Sequence, residues 1–191
     1  MGQQFIAHTG IVLQWAEFRR EFGFNFYIET GRSRIMPEIE NKLKELGYEL
    51  PPARPPGAGN IIPFVRTGNL VYLSGTGPGL PGGGLLHVGK LGGEVSVEQG
   101  YDCARQTMLN LLTNLKGAIG DLDKVSRIVK LLAMVNSTPD FGDTPLVANG
   151  ASDLLINLYG DRGRHARSAV GMATLPGGMP IEIEMIVEVE D

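Results

Sequence analysis

The sequence predicts an α+β sandwich, one mixed β-sheet with two helices packed on one of its faces. Three observations carry that expectation. Residues 96–120 hold an amphipathic helical pattern closed at both ends, a second apolar helical stretch runs from about Pro145 to Tyr159, and the runs between and around them alternate at the period of strands. The order of elements is β-β-β-α-β-α-β-β, preceded by a short helix and an arm.

The short helix opens at Met36-Pro37-Glu38-Ile39-Glu40, with proline at an early position and acids in the first turn, and stops at Leu46-Gly47. From Glu49 to Asn60 the chain reads ELPPARPPGAGN, an extended polyproline-like arm laid over the domain; its PxxP is read as arm rather than as a ligand for another protein. Ile61–Arg66 and Leu70–Ser74, separated by Thr67-Gly68-Asn69, form a hairpin. Glycine accounts for 27 of 191 residues and concentrates between Gly75 and Gly93, which makes that segment a set of turns with a third strand expected at Leu85–Val88.

Ser96-Val97-Glu98-Gln99 is a capping box, and Tyr101, Ala104, Met108, Leu111, Leu112, Leu115 and Ile119 recur at helical spacing up to Gly120. Ser126–Ser137 alternates as a strand, with Asp123 in the turn before it. The second helix carries Val147, Ala148, Ala151, Leu154, Leu155 and Leu158 on one side and ends at Gly160. Two strands finish the chain, Ala166–Ala173 and Ile181–Glu190, joined by Leu175-Pro176-Gly177-Gly178; in the last, aliphatic residues alternate with Glu182, Glu184 and Glu188. Helices on one face leave the other face of such a sheet apolar and in need of a cover, most simply by oligomerisation.

Residues 1–35 differ from the rest of the chain, holding seven of its 13 aromatics without clear periodicity. Two readings stay open: an accessory segment that packs on the domain or a partner, or residues upstream of a true start at Met36. The exposure that so aromatic a segment would suffer tips the balance toward the second.

Composition excludes several classes. With 17 basic against 21 acidic side chains, a net charge of -4 and a pI near 5.4, the chain has no general attraction for phosphate backbones or anionic lipid, which disfavours a nucleic-acid or membrane partner. The lone Cys103 forms no intrachain disulfide and sits beside a buried-face helical position, so it reads as a packed thiol rather than a nucleophile. His8, His87 and His165 are scattered, which speaks against a metalloenzyme; His165 alone lies among polar residues, as a surface or supporting group or a ligand contact. No apolar run approaches the roughly 18 residues of a membrane span, and Phe5–Ala16 makes a poor signal peptide, so a soluble, cytoplasmic protein is expected.

Two glycine motifs fail on their surroundings. Gly77-Pro78-Gly79-Leu80-Pro81-Gly82 matches GxGxxG, but prolines and further glycines stand where a dinucleotide site needs a helix N-terminus. Gly84–Leu91 comes within one residue of a Walker A loop, yet Leu91 replaces the magnesium-binding hydroxyl and no helix comes after it.

The stretch GRHARSAVGMATL at Gly163–Leu175, with Pro176 and Pro180-Ile181-Glu182-Ile183-Glu184 after it, resembles the C-terminal signature of the RidA family, also called YjgF/YER057c/UK114. The resemblance extends over Asn60–Gly75, Ser96–Gly120 and Val135–Asn149, and with the Met36 helix and ELPP arm it points to the longer RidA-like branch. It divides the chain into residues 1–35, which have no counterpart, a helix and arm at 36–60, and a RidA-like domain at 61–191. The resemblance implies a chorismate-mutase-like fold, a homotrimer with clefts at subunit interfaces, and cofactor-free hydrolysis of reactive enamines and imines such as 2-aminoacrylate and 2-iminobutanoate to 2-keto acids and ammonia.

By the same resemblance, Arg167 matches the arginine of an ARS motif, where a planar guanidinium would hold a substrate carboxylate through two parallel hydrogen bonds; a salt bridge to Glu182 or Glu184 is the bland alternative. Glu182, the first acid of IEIE, would direct water or shuttle a proton, unless it is simply a solvated strand glutamate. Gly75 would offer its backbone N–H, and Asn149 matches an asparagine at the start of the second helix, where a helix cap is the alternative. Three positions depart from the family pattern: Phe64 in place of tyrosine, Thr76 in place of glutamine, and Ala169 in place of cysteine. A small carboxylate that is bound but not turned over is therefore the rival function, and a ribonuclease or translation-inhibiting activity a distant third.

Overall fold

The computed structural model describes residues 37–53 and 60–190, so the expectations for residues 1–35 and for the middle of the arm lie outside the described residues. Helix α1 (Glu38–Glu45) has no side chain of its own capping its start. Asp123, far along the chain, does so instead: its Oδ2 accepts from the Glu38 N–H at 2.7 Å and its Oδ1 from the Ile39 N–H at 2.9 Å. Ile39 and Leu43, one turn apart, are buried, and Lys116 pairs with Glu40 at 2.6 Å. Beyond α1 the chain stays on the same domain. Arg105 lies 5.5 Å from the centre of the Tyr48 ring, and the Pro51 carbonyl accepts from Thr113 Oγ1 at 2.8 Å.

Strands β1 (Phe64–Thr67) and β2 (Leu70–Thr76) form the expected hairpin, Thr67 opposite Leu70, with Gly68 at φ +56° in the two-residue turn. The third strand expected at Leu85–Val88 does not form. Leu85 makes an isolated bridge with Gly79, and the segment closes on itself through Leu86 N–H to the Pro78 carbonyl and Gly83 N–H to the Leu80 carbonyl. Turns at Gly83, Gly84 and Gly89, all at positive φ, leave too short a straight run to pair. Two polar side chains fix these turns. Asn110, buried in the first long helix, donates to the Gly77 and Gly79 carbonyls at 2.9 and 3.0 Å, and Lys90 Nζ donates to Asn136 Oδ1 at 2.8 Å and to the Ala173 carbonyl.

Helix α2 (Val97–Ile119) carries the full capping box between Ser96 and Gln99 and ends at Gly120, φ +78°. Strand β3 (Val125–Asn136), helix α3 (Thr144–Tyr159), and strands β4 (Ala166–Met172) and β5 (Ile181–Val189) come next. The sheet order is β1-β2-β5-β3-β4; β3 and β4 run parallel and every other pair antiparallel. One side of the sheet is core. Val71, Leu73, Leu131, Ala133, Val135, Ile181, Ile183, Met185 and Val187 lie in one cluster with Met108, Leu111, Leu112 and Leu115 of α2 and Val147, Ala151, Leu154 and Leu155 of α3. The two helices approach closely at Gly150, where an added Cβ would lie 2.0 Å from the Tyr101 carbonyl oxygen. The alternate residues of the strands, among them Val65, Tyr72 and Val170, are exposed on the other face.

Among the described residues no helix is long and apolar enough to cross a membrane. Gly150→Ala should lower stability by about 1–3 kcal/mol or more, since backbone rather than a flexible side chain must move. Asp123→Ala should cost about 1–2 kcal/mol through loss of the α1 cap, read as a lower urea midpoint at unchanged slope.

Candidate functional site

Arg167 is the second residue of β4 and pairs with Leu131 of β3, whose side chain is fully buried under the helices. Partners in register point to one side of a sheet, so Arg167 turns toward the helices as well. There its Nη1 donates to Asn149 Oδ1 at 3.0 Å and Ser152 Oγ at 2.9 Å, and its Nη2 to the Pro145 carbonyl at 3.2 Å. Residues 145, 149 and 152 are spaced as one stripe of α3, which is why a single side chain reaches all three. Burial pulls the guanidinium below its ordinary value, opposed by the charge of Asp153.

Asn149 therefore lies inside α3 rather than at its cap. The helix begins at Thr144, and the amide oxygen is occupied by Arg167. The alternative of a bridge from Arg167 to Glu182 or Glu184 also fails, because β3 separates β4 from β5 and the guanidinium lies on the helix side. His165 adds a further partner: its Nδ1 is 2.7 Å from the Gly163 carbonyl and its Nε2 is 3.0 Å from Ser152 Oγ. A carbonyl can only accept, so the neutral ring carries its proton on Nδ1 and accepts from the Ser152 hydroxyl at Nε2. Burial is the main influence lowering the imidazole's pKa; the Gly163 bond opposes it and the charge of Arg167 adds to it.

Glu182 occupies the other face. It pairs with Met134 between the buried Ile181 and Ile183, and alternation turns it away from the helices. A bulge between Leu73 and Thr76 brings Gly75 beneath it, where an added Cβ would lie 2.0 Å from Glu182 Oε1. Gly75 is thus small because the carboxylate occupies the space a side chain would take. Burial, and then the like charge of Glu184, raise the Glu182 pKa above the ordinary carboxyl range.

Within one chain the residues fall into two groups, Arg167 with Asn149 on the helix side of one sheet edge and Glu182 with Gly75 on the open face. Thr76, opposite the buried Ile183, turns its hydroxyl to the Ser74 carbonyl at 3.0 Å. Phe64, opposite the buried Leu73, packs against the core on the helix side and meets neither group. Ala169 also packs against the core, and its carbonyl accepts from Thr144 Oγ1 at 3.0 Å. Cys103 is fully buried and its thiol is pushed up to about 11, chiefly by that burial, as befits a packing residue. The roles of Ser152, Asp123, Asn110 and Lys90 are not legible in the sequence, where lone polar residues in helices and turns carry no pairing signal. Among the described residues no three His, Cys, Asp or Glu side chains cluster as metal ligands.

A five-stranded mixed sheet with both long helices on one face defines the chorismate-mutase-like class of α+β proteins. A family model described as "YjgF/chorismate mutase-like, putative endoribonuclease" matches residues 40–187. Protein TCP17 of Trypanosoma cruzi is 42% identical over 154 residues, covering 80% of this chain and 95% of that protein. A crystal structure from Agrobacterium tumefaciens, of unknown function, is 42% identical at a TM-score of 0.74, covering 81% of this chain and 93% of that one. Another from Shewanella oneidensis, called a putative endoribonuclease, is 32% identical at a TM-score of 0.75, covering 79% and 99%. The chain belongs to the YjgF family, of which RidA is another name.

A carboxyl whose folded pKa lies above its unfolded value holds its proton more tightly when folded, so it lends stability at low pH that is lost as pH rises through the folded value. Glu182→Gln, always neutral, should therefore match the wild type below the ordinary value of 4.5 and become progressively more stable than it above. Urea unfolding of the two proteins from about pH 4 to pH 7.5 measures this; a constant difference across that range would contradict the raised pKa.

Proposed function

We propose that the protein hydrolyses small reactive 2-imino and 2-enamino acids, of the 2-aminoacrylate and 2-iminobutanoate type, to 2-keto acids and ammonia without a cofactor. The observation that carries this reading is the state of Arg167. Its hydrogen-bond partners are all neutral oxygens, and among the described residues Nε–H and one Nη2–H have no acceptor. A half-buried guanidinium with no carboxylate bound to it and two donors to spare suits the carboxylate of a substrate.

The remaining chemistry needs little machinery, because a C=N bond conjugated to a carboxylate is already electrophilic. Water adds to the imine carbon, a proton passes to nitrogen, and the carbinolamine collapses to ketone and ammonia. Glu182, with its raised pKa, suits the proton transfers at both stages, and Gly75 leaves room for the carboxylate to approach. An enamine enters the same path after protonation at carbon.

Arg167 and Glu182 lie on different faces of one sheet, so in this reading the substrate sits between subunits, with Arg167 from one copy and Glu182 from its neighbour. A homotrimer with three such clefts, its exposed sheet faces turned to one another, accounts for the divided site and would cover Val65, Tyr72 and Val170, which stand exposed beside Glu182 and Glu184 on an open face of mixed polarity. The rival, a protein that binds a small keto acid without turning it over, draws support from Phe64 and Thr76. Both are turned away from Glu182's face or already hydrogen-bonded, so neither supplies a polar group beside the carboxylate.

The deciding experiment generates 2-iminobutanoate in situ with an amino-acid oxidase and traps residual imine with semicarbazide. Faster imine loss with wild type, abolished in Arg167→Ala and Glu182→Gln, supports the deaminase; 2-ketobutyrate binding without acceleration supports the rival. Arg167→Lys keeps the charge but not the fork, and should weaken 2-ketobutyrate binding by roughly 1–3 kcal/mol in calorimetry. Gly75→Ala should cut turnover while leaving the urea midpoint nearly unchanged, since only the far end of the Glu182 side chain must move.

A further inference from the structure

We infer that Ser152 and His165 are positioning residues for Arg167, fixing its guanidinium so that Nε–H and one Nη2–H stay free for a ligand; the inference rests on the carboxylate-binding role proposed above. The hydrogen bonds run in one direction. Arg167 Nη1–H donates to Ser152 Oγ at 2.9 Å, the Ser152 hydroxyl donates to His165 Nε2 at 3.0 Å, and His165 Nδ1–H donates to the Gly163 carbonyl at 2.7 Å. Every donor in the series has an acceptor, and the Gly163 carbonyl, which can only accept, fixes the proton on Nδ1 of His165 and through it the donor and acceptor roles of the members before it.

The end of the series is anchored firmly. Gly163 is packed against α3 so closely that a Cβ there would lie 2.3 Å from the Leu155 carbonyl oxygen. Ser152 is only 8% exposed, so water does not readily replace its partners. A serine inside a helix commonly turns its hydroxyl back to the carbonyl four residues earlier; here the oxygen is engaged by Arg167 and His165 instead. His165 precedes Arg167 by two residues, the spacing that puts both on one side of an extended chain. Neutral imidazole suits the role, since an imidazolium would set a second cation against the guanidinium, and burial favours the neutral ring. Asn149 and the Pro145 carbonyl hold the guanidinium from the same helix, which leaves its orientation fixed at three points.

The test uses the full chain with two readouts. In spectra of protein with ¹⁵N-labelled arginine, a guanidinium held at three points gives separate Nη–H resonances, assigned to Arg167 by their absence in Arg167→Lys. In Ser152→Ala these should broaden or merge, while Ser152→Thr, which restores a hydroxyl, should keep them. In the imine assay Ser152→Ala should raise KM roughly tenfold, the loss of one hydrogen bond to a charged group, with kcat within about twofold, and Ser152→Thr should recover most of it. If Ser152→Ala does not fold, His165→Phe interrupts the same series one bond further away and should give the same two changes. Unaltered Arg167 resonances and KM in the substituted proteins would overturn the inference. Absence of imine hydrolysis by the wild type would instead overturn the deaminase reading, and the resonances alone would then decide the positioning role.

Discussion

The parallel pairing of β3 with β4 is the constraint on which the rest of the architecture depends. Parallel neighbours cannot be joined by a tight hairpin; the chain must cross over one face of the sheet, and here it does so as α3. That crossover covers the edge of the sheet, completes the core begun by α2, and stands α3 beside β4. Arg167 meets residues 145, 149 and 152 because crossover helix and returning strand are consecutive elements of one unit. The same parallel step puts β3, rather than β4, next to β5, and so separates Arg167 from Glu182 by a whole strand.

Much of this is legible in the sequence because its causes are local. The Ser96–Gln99 box and Gly120 bound α2 through bonds made within one turn of helix, and alternation in 181–189 places Glu182 opposite the core side with no knowledge of its neighbours. Local patterns mislead where a distant partner decides. Leu85–Val88 has an aliphatic look but sits among glycines whose turns are held by Asn110 and Lys90, residues that no local pattern connects with it. Asn149 resembles a cap when its position is judged from the helix alone, whereas its partner lies on β4.

The site is half legible for the same reason. Family resemblance marks Arg167, Glu182, Gly75 and Asn149, and the fold sorts them into two groups, each chemically coherent: a cation surrounded by neutral acceptors, and a carboxyl with a raised proton affinity above a glycine. Phe64 and Thr76 are marked by what they lack relative to other members, and the fold shows both engaged elsewhere. Ser152 and His165 emerge only when β4 and α3 are set side by side, since nothing in their 13-residue separation suggests a pair.

The cap that Asp123 places on α1 has a bearing on how the chain is made. The helix leaves the ribosome early, but the carboxylate that satisfies its first N–H groups lies 84 and 85 residues further on, and the Leu158 carbonyl that takes Lys42 lies 116 residues on. At roughly 5–20 residues per second, α1 waits on the order of 5 to 20 s for those partners. An isolated eight-residue helix is too short to persist in water for that interval. Synthesised first among the described elements, it is among the last to acquire its structure, and the nascent chain must keep Ile39 and Leu43 out of unproductive contacts until the second half of the domain has emerged.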